Sequence, residues 1–213
     1  MARIPNGING EFIGTAGNVN GYMRNGVNFV RSKRRKSSAP MTPKRLAQQQ
    51  KIKVCNNFTQ PFCGSGFFNK TFPAYGHSGT GFNRATSAIL NLAIIGTYPD
   101  TAIDYPEVLI SKGPLPPARN PATAVSADGS ILFSWEDNSG NGTARPDDKV
   151  ILVAYFPSEK IAKFSIGEAL RRDCEVVLTI HHMQNQEAET WVGFLSNDEK
   201  DAANSVYSGR INL

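Results

Sequence analysis

The sequence contains no long hydrophobic run. Its longest apolar stretch, residues 88–95, is interrupted by Asn91, whereas a membrane-spanning helix needs about 18 or more apolar residues. The first seven residues have no apolar core of the kind that a secretory signal requires. We therefore expect a protein that is made in the cytoplasm, does not enter a membrane and carries no export signal.

Cysteine is scarce as well. The chain has Cys55, Cys63 and Cys174, an odd number whose spacing matches neither a disulfide framework nor a metal-binding motif. Free cysteines in proteins are usually buried and behave as small apolar residues. The sequence therefore predicts three free, buried thiols.

A convergent set of catalytic groups is also missing. His181 and His182 are adjacent, and adjacent residues on a strand point to opposite faces of the sheet. The acidic pairs at 147–148 and 198–199 lie in predicted turns, where acidic residues are common. The glycine-rich motif at 64–66 lacks the strand and helix that flank a phosphate-binding loop. We expect no enzyme, hence no catalytic residue, metal site or cofactor, and a surface hydrolase is the least favoured class.

Acidic residues are almost absent from the first third of the chain. Residues 1–70 contain 12 Lys and Arg but one acid, Glu11, whereas the remainder contains 11 Lys and Arg and 17 Asp and Glu. A basic end of this kind suits nucleic acid, an anionic surface or the acidic part of a neighbouring protein.

The basic region begins with a predicted β-hairpin. Asn25-Gly26 favours a tight two-residue turn, and its flanks carry the apolar residues Val19, Met23 and Phe29. Tyr22 and Phe29 could stack on bases, and the surrounding cations could neutralise phosphates. Docking on an acidic protein surface would use the same cations. The candidate contact residues are Arg24, Arg31, Lys33, Arg34, Arg35, Lys36, Lys44 and Arg45.

Two helices are predicted after the hairpin. Thr42 is a suitable N-cap and Pro43 suits the first helical position, so one helix should run from there until Pro61 ends it. Apolar residues at helical spacing predict a second helix over about 83–95, ending at Gly96.

The remainder of the chain has the pattern of short β-strands. Apolar alternation and turn clusters predict an antiparallel sandwich, with Trp135 and Tyr207 suiting an immunoglobulin-like or fibronectin-III-like core. The fold class is therefore α+β, with a basic arm and hairpin over 1–40, a helical module over 41–98 and an all-β sandwich over 99–213. The predicted strands are 108–110, 130–136, 149–156, 160–166, 174–180, 190–195 and 205–211.

An ordered series of short motifs runs along most of the chain. They are 6–10 (NGING), 14–19 (GTAGNV), 24–27 (RNGV), 40–49 (PMTPKRLAQQ), 98–100 (YPD), 103–105 (IDY), 111–116 (SKGPLP), 133–140 (FSWEDNSG) and 144–148 (ARPDD). Together they resemble domain-of-unknown-function family 6266, which is common in Bacteroidota genomes and their phages. The resemblance implies a basic hairpin-and-helix module followed by an immunoglobulin-like domain, and it implies no activity or cofactor.

Two functional hypotheses follow from these features. The first is a structural protein of a tailed phage particle, in the capsid, on the head or at the tail, which would be assembled in the host cytoplasm. Its basic arm would dock on other virion proteins in a homo- or hetero-oligomeric assembly. The second is a nucleic-acid-binding protein that uses the same arm, with binding that weakens steeply as salt rises.

Overall fold

The computed structural model describes residues 2–4, 10–24, 26–34, 40–76, 79–126, 128–180 and 185–213. The chain divides into two compact units, Met1–Met41 and Thr42–Leu213. The pairs His181-His182 and Arg35-Lys36, which the sequence singled out, lie outside the described residues.

The first unit is a three-stranded antiparallel sheet. Its strands are β1 (Gly14–Ala16), β2 (Val19–Arg24) and β3 (Val27–Ser32), in the order β1-β2-β3. Arg24 is paired with Val27, so a two-residue loop joins β2 to β3. The predicted hairpin is therefore confirmed, and β1 adds a strand that the sequence did not reveal.

The helices belong to the second unit. They are α1 (Pro43–Thr59), α2 (Phe67–Thr71) and α3 (Gly81–Leu92). The Thr42 hydroxyl accepts a hydrogen bond from the Arg45 amide at 3.4 Å, which confirms the predicted N-cap of α1.

The second predicted helix ends earlier than expected. After α3, Ile94–Ile95 forms strand β4 and pairs with β5 (Ala102–Ile103) in a two-stranded sheet. The prediction that the helix reaches residue 95 was wrong. Two consecutive apolar residues such as Ile94-Ile95 fit a helix or a strand equally well, and here their pairing with β5 makes them a strand.

Seven further strands lie among the described residues of the second unit. They form two antiparallel sheets with the strand orders β10-β7-β6 and β12-β11-β8-β9. Their bounds are β6 (Arg119–Val125), β7 (Ile131–Glu136), β8 (Lys149–Phe156), β9 (Ile161–Leu170), β10 (Glu175–Leu178), β11 (Glu187–Leu195) and β12 (Val206–Asn212). The protein is thus an α+β protein with several antiparallel sheets.

Two strand predictions need correction. The segment 108–110 is not a strand: Val108 and Ile110 are buried, and the Ile110 amide donates to the Ser205 hydroxyl at 2.9 Å instead of joining a sheet. Conversely, β6 was missed because Pro121 interrupts its pattern. β6 lies at a sheet edge and its pairing is irregular between Arg119 and Ala122, which is where a sheet tolerates proline.

The two inner strands of the four-stranded sheet, β8 and β11, are buried on both faces. Alternate side chains of β8 point to opposite sides, so Ile151, Val153 and Tyr155 share a core with the helices. Leu152 and Phe156 share a second core with the three-stranded sheet β10-β7-β6. β8 after Lys149 and β11 after Thr190 consequently contain no charged side chain and are almost entirely apolar, as in strands covered on both sides.

A buried ion pair lies at one end of the second core. Arg171 and Asp148 are 0% and 1% exposed, and two guanidinium nitrogens lie 3.0 Å from the same carboxylate oxygen. The guanidinium also lies 3.7 Å from the centre of the Phe194 ring, while the Trp135 indole donates to the Arg171 carbonyl at 2.7 Å. Asp148 was predicted to be an ordinary turn acid, but here it neutralises a buried cation.

The three thiols are free, but only one is buried. Cys55 lies in the core between the helices and the sheet, and burial raises the pKa of its thiol to about 11. Cys63 is exposed and Cys174 is partly exposed, so the prediction of burial was wrong for these two. Each directly follows a one-turn helix, Gln60–Phe62 or Arg171–Asp173, and lies in a connecting segment instead of on a core-facing strand or helix.

Substituting Asp148→Ala should destabilise the second unit by about 3–5 kcal/mol, because it leaves the Arg171 guanidinium buried without its counter-ion. Glu136→Ala is the matched control, since it breaks the exposed Arg119–Glu136 pair and should cost less than about 1 kcal/mol. Urea unfolding measures both variants. Equal losses in the two would contradict a structural role for the buried pair.

Thiol labelling should separate the cysteines. At pH 8 the native protein should react with Ellman's reagent at Cys63 and Cys174, and Cys55 should react only after unfolding, because the reactive species is an accessible thiolate. Mass spectrometry of the labelled peptides assigns each thiol. Rapid native labelling of Cys55 would show that its packing is different from that described.

Candidate functional site

The structure divides the predicted contact residues between the two units. Arg24, Arg31, Lys33 and Arg34 belong to the hairpin and the segment just after it, and all four are exposed. The side chains of Lys44 and Arg45 are exposed in the first turn of α1, in the second unit. The remaining two, Arg35 and Lys36, are those outside the described residues.

One face of the hairpin combines aromatic rings with arginines. Tyr22 is paired with Phe29, and their rings stack with centres 5.7 Å apart. The Arg31 guanidinium lies 5.2 Å from the centre of the Tyr22 ring, on the same face. Because side chains alternate along a strand, Arg24 and Val27 also lie on this face. We call these five residues the aromatic face.

The opposite face holds the amino-terminal segment against the hairpin. Phe12 lies directly over Gly21, the one buried residue among the described residues of this unit. The Asn28 amide donates to the Phe12 carbonyl at 3.1 Å. This contact requires glycine at position 21, since a Cβ there would overlap both the ring and the carbonyl of Phe12. Neither residue was singled out in the sequence, because the contact joins segments with no shared local pattern.

The first unit leaves most of its apolar side chains exposed. Val27 and Val30 are 54% and 58% exposed, and Tyr22 and Phe29 about two-fifths. None of the described residues in this unit contributes to either buried core. A three-stranded sheet normally needs a buried apolar face for stability. The apolar and aromatic surface is therefore suited to cover by a partner.

The positive charge of this unit is available for such a partner. Residues 1–41 contain 7 Lys and Arg and one acid. The ion pairs formed among the described residues include none of the described candidate contact residues, which are Arg24, Arg31, Lys33, Arg34, Lys44 and Arg45. Uncompensated cations of this kind produce a positive potential that attracts anionic surfaces.

The start of α1 adds charge of the same sign. Its first turn contains Lys44 and Arg45 and no acidic residue. The partial positive charge of a helix N-terminus reinforces these cations, whereas an acidic first turn would have offset it. This end of the helix is therefore positively charged, and it belongs to the second unit.

The acidic pair Asp198-Glu199 forms hydrogen bonds and ion pairs with nearby residues. Glu199 contacts Lys149 at 2.7 Å and Lys70 at 3.0 Å, and these hydrogen bonds hold the pKa of its carboxyl below the ordinary value. Asp198 accepts hydrogen bonds from Ser196 and the Lys200 amide within its own turn. The described part of the chain contains no group of three or more His, Cys, Asp or Glu arranged to hold a metal ion.

A family model described as "Family of unknown function (DUF6266)" matches residues 11–209. The match spans the hairpin, the helices and all the sheets of the second unit. The chain belongs to this family. A search of curated proteins gives no match. In this member of the family, no helix among the described residues is both long and apolar enough to cross a membrane.

Substituting Gly21→Ala should displace Phe12 and break the backbone pairing of Arg3 with Ile13, whose two hydrogen bonds are 2.7 and 2.9 Å. We expect a local cost of about 1–3 kcal/mol from the overlap. The Ile13 amide donates one of these two hydrogen bonds, so its hydrogen exchange should become faster, and the change in rate measures this cost. Gly17→Asn is the control, because Gly17 lies in an open left-handed turn that asparagine tolerates. Unchanged protection in Gly21→Ala would contradict the described packing.

Proposed function

We propose that this protein is a non-enzymatic structural component of a tailed phage particle, and that it docks on other virion proteins through its basic N-terminal unit. The observation that carries this proposal is the small sheet with exposed apolar and aromatic side chains and uncompensated positive charge. Such a sheet gains stability when a partner covers it, and assembly into a particle supplies a partner in many copies.

The resemblance to a family found in Bacteroidota and their phages supports the same proposal. On this basis the protein would be made in the bacterial host cytoplasm and incorporated into the virion there. Its place would be the capsid, the head surface or the tail, within a homo- or hetero-oligomeric assembly. Its function would require neither a cofactor nor a membrane.

We further propose that strands β6–β12 form a sandwich of the immunoglobulin or fibronectin-III type. Seven antiparallel strands in two sheets with a shared apolar core are typical of these domains. The packing of the Trp135 ring edge-on against Phe194, 6.1 Å between centres, supports this proposal. A sandwich of this kind would serve as the rigid part that the particle displays.

Nucleic-acid binding is the second candidate, because of the aromatic face. Exposed rings beside arginines can stack on bases while the cations contact phosphates. Phe29 is 42% exposed and stacks on Tyr22, whose ring also contacts Arg31. The Tyr22–Phe29 stack also stabilises the hairpin as a cross-strand pair, so its presence is explained without nucleic acid. Nucleic-acid binding is therefore the weaker of the two candidates.

Mass spectrometry of phage particles purified from the source culture tests the first proposal. We expect the protein in many copies per particle. The double variant Arg24→Glu/Arg31→Glu should be lost from particles, because an anionic face repels the surface that the cationic face attracts. The control Lys53→Glu/Lys160→Glu carries the same charge change at exposed positions in the second unit and should be incorporated normally. Both variants should keep the parental melting temperature.

Absence of the unmodified protein from particles would reject the structural proposal. A mobility-shift assay at low salt then tests the second candidate with single-stranded DNA and RNA. Binding that is lost in Arg24→Glu/Arg31→Glu and falls steeply with added salt would favour it. No binding at low salt would reject it as well.

A further inference from the structure

A groove in the second unit is not used by the function proposed for the hairpin. Its volume is about 770 Å³, within the range of pockets that bind small ligands or peptide segments. We call it the α3 groove, because one of its sides is the exposed face of α3. Its described lining residues are Phe72, Pro73, Tyr75, Arg84, Ser87, Ala88, Asn91, Leu92, Lys112, Gly113, Pro114 and Asn204.

Hydrogen bonds between distant segments fix the walls of this groove. The Tyr75 hydroxyl accepts from the Ala202 amide at 3.1 Å, and the Gly113 amide donates to the Asn204 side chain at 3.2 Å. Gly113 has no space for a Cβ, because the Tyr75 hydroxyl and the Ala202 carbonyl occupy that position. The groove is therefore preformed, which lowers the entropic cost of binding.

The lining combines apolar surface with positive charge. Leu92 is 50% exposed along one side and does not belong to the buried core. Pro114 is exposed, and Pro73 and Ala88, which are partly exposed, add further apolar surface. Arg84 and Lys112 contribute cations, and among the described lining residues there is no Asp or Glu. A ligand that buries apolar groups here is therefore favoured if it also carries a negative charge.

Both cations have N–H groups that can donate hydrogen bonds to a ligand. The Arg84 guanidinium donates through Nε and Nη2 to the Phe72 carbonyl and through Nη1 to the Gly79 carbonyl at 2.8 Å. A guanidinium has five N–H donors, so two remain after these contacts. Lys112 takes part in none of the ion pairs among the described residues, and it is exposed. The Arg84 contacts hold its guanidinium in place for a carboxylate.

We propose that the α3 groove binds an extended peptide segment of a partner protein that places a carboxylate side chain beside apolar ones. The apolar side chains lie against Leu92 and Pro114, while the carboxylate accepts hydrogen bonds from Arg84 and Lys112. The Asn91 and Asn204 amides are suited to the peptide backbone, as polar groups in such sites usually fix orientation. The protein would then have two docking surfaces, and this second one does not rest on the function proposed for the hairpin.

Isothermal titration of the full chain with two peptides tests this inference. The probes are acetyl-Leu-Glu-Leu-amide and acetyl-Leu-Gln-Leu-amide, which differ in charge and little in shape. We expect the Glu peptide to bind more tightly. Lys112→Glu should weaken its binding about threefold to fivefold, as expected for an exposed ion pair worth up to about 1 kcal/mol. Leu92→Ser should weaken both peptides by removing apolar contact.

Lys51→Glu is the matched control, because Lys51 is on α1 and does not line this groove. It should bind the Glu peptide as the parent does, and all variants should keep the parental melting temperature. Equal affinity for the two peptides, equal weakening in Lys51→Glu and Lys112→Glu, or no binding of either peptide at millimolar concentration would overturn the proposal. The hairpin is unaltered in every variant, so these results are independent of the particle experiment.

Discussion

Burial of one sheet on both faces is the constraint on which the second unit depends. Strands β8 and β11 carry apolar side chains on each side, so neither face can meet water without a large loss of hydrophobic stabilisation. The helices cover one face and the three-stranded sheet covers the other. The four-stranded sheet therefore joins two cores, and the helical segment is part of the same compact unit as the strands.

The buried Arg171–Asp148 pair shows how a polar group is accommodated in this arrangement. Its carboxylate and guanidinium satisfy each other, and the guanidinium also lies against the Phe194 ring of the central sheet. Such a pair contributes little net stability, but it makes wrong packing costly, because any displacement leaves a charge without its partner. It thereby fixes the end of the core where Trp135 hydrogen-bonds to the Arg171 carbonyl.

The two units use their apolar residues in opposite ways. The second unit encloses them in two cores, whereas the described part of the first displays Val27, Phe29 and Val30 beside its arginines. Exposed apolar surface together with charge of one sign is typical of a surface that binds a partner. The α3 groove repeats this combination on a smaller scale, with Leu92 beside Arg84 and Lys112.

The sequence by itself determined the local elements: the hairpin at Asn25-Gly26, the N-cap at Thr42, most of the strands and the location of the candidate cations. These features depend on residues that are close together in sequence, and the turn and capping preferences of such residues can be inferred from the sequence alone. Only the tertiary structure decided that Phe12 covers Gly21, that Asp148 neutralises Arg171, and that α3 and residues 112–114 line one groove. It also decided which thiols are buried and that β6 tolerates its proline. Each of these depends on segments far apart in sequence, whose contact no local pattern records.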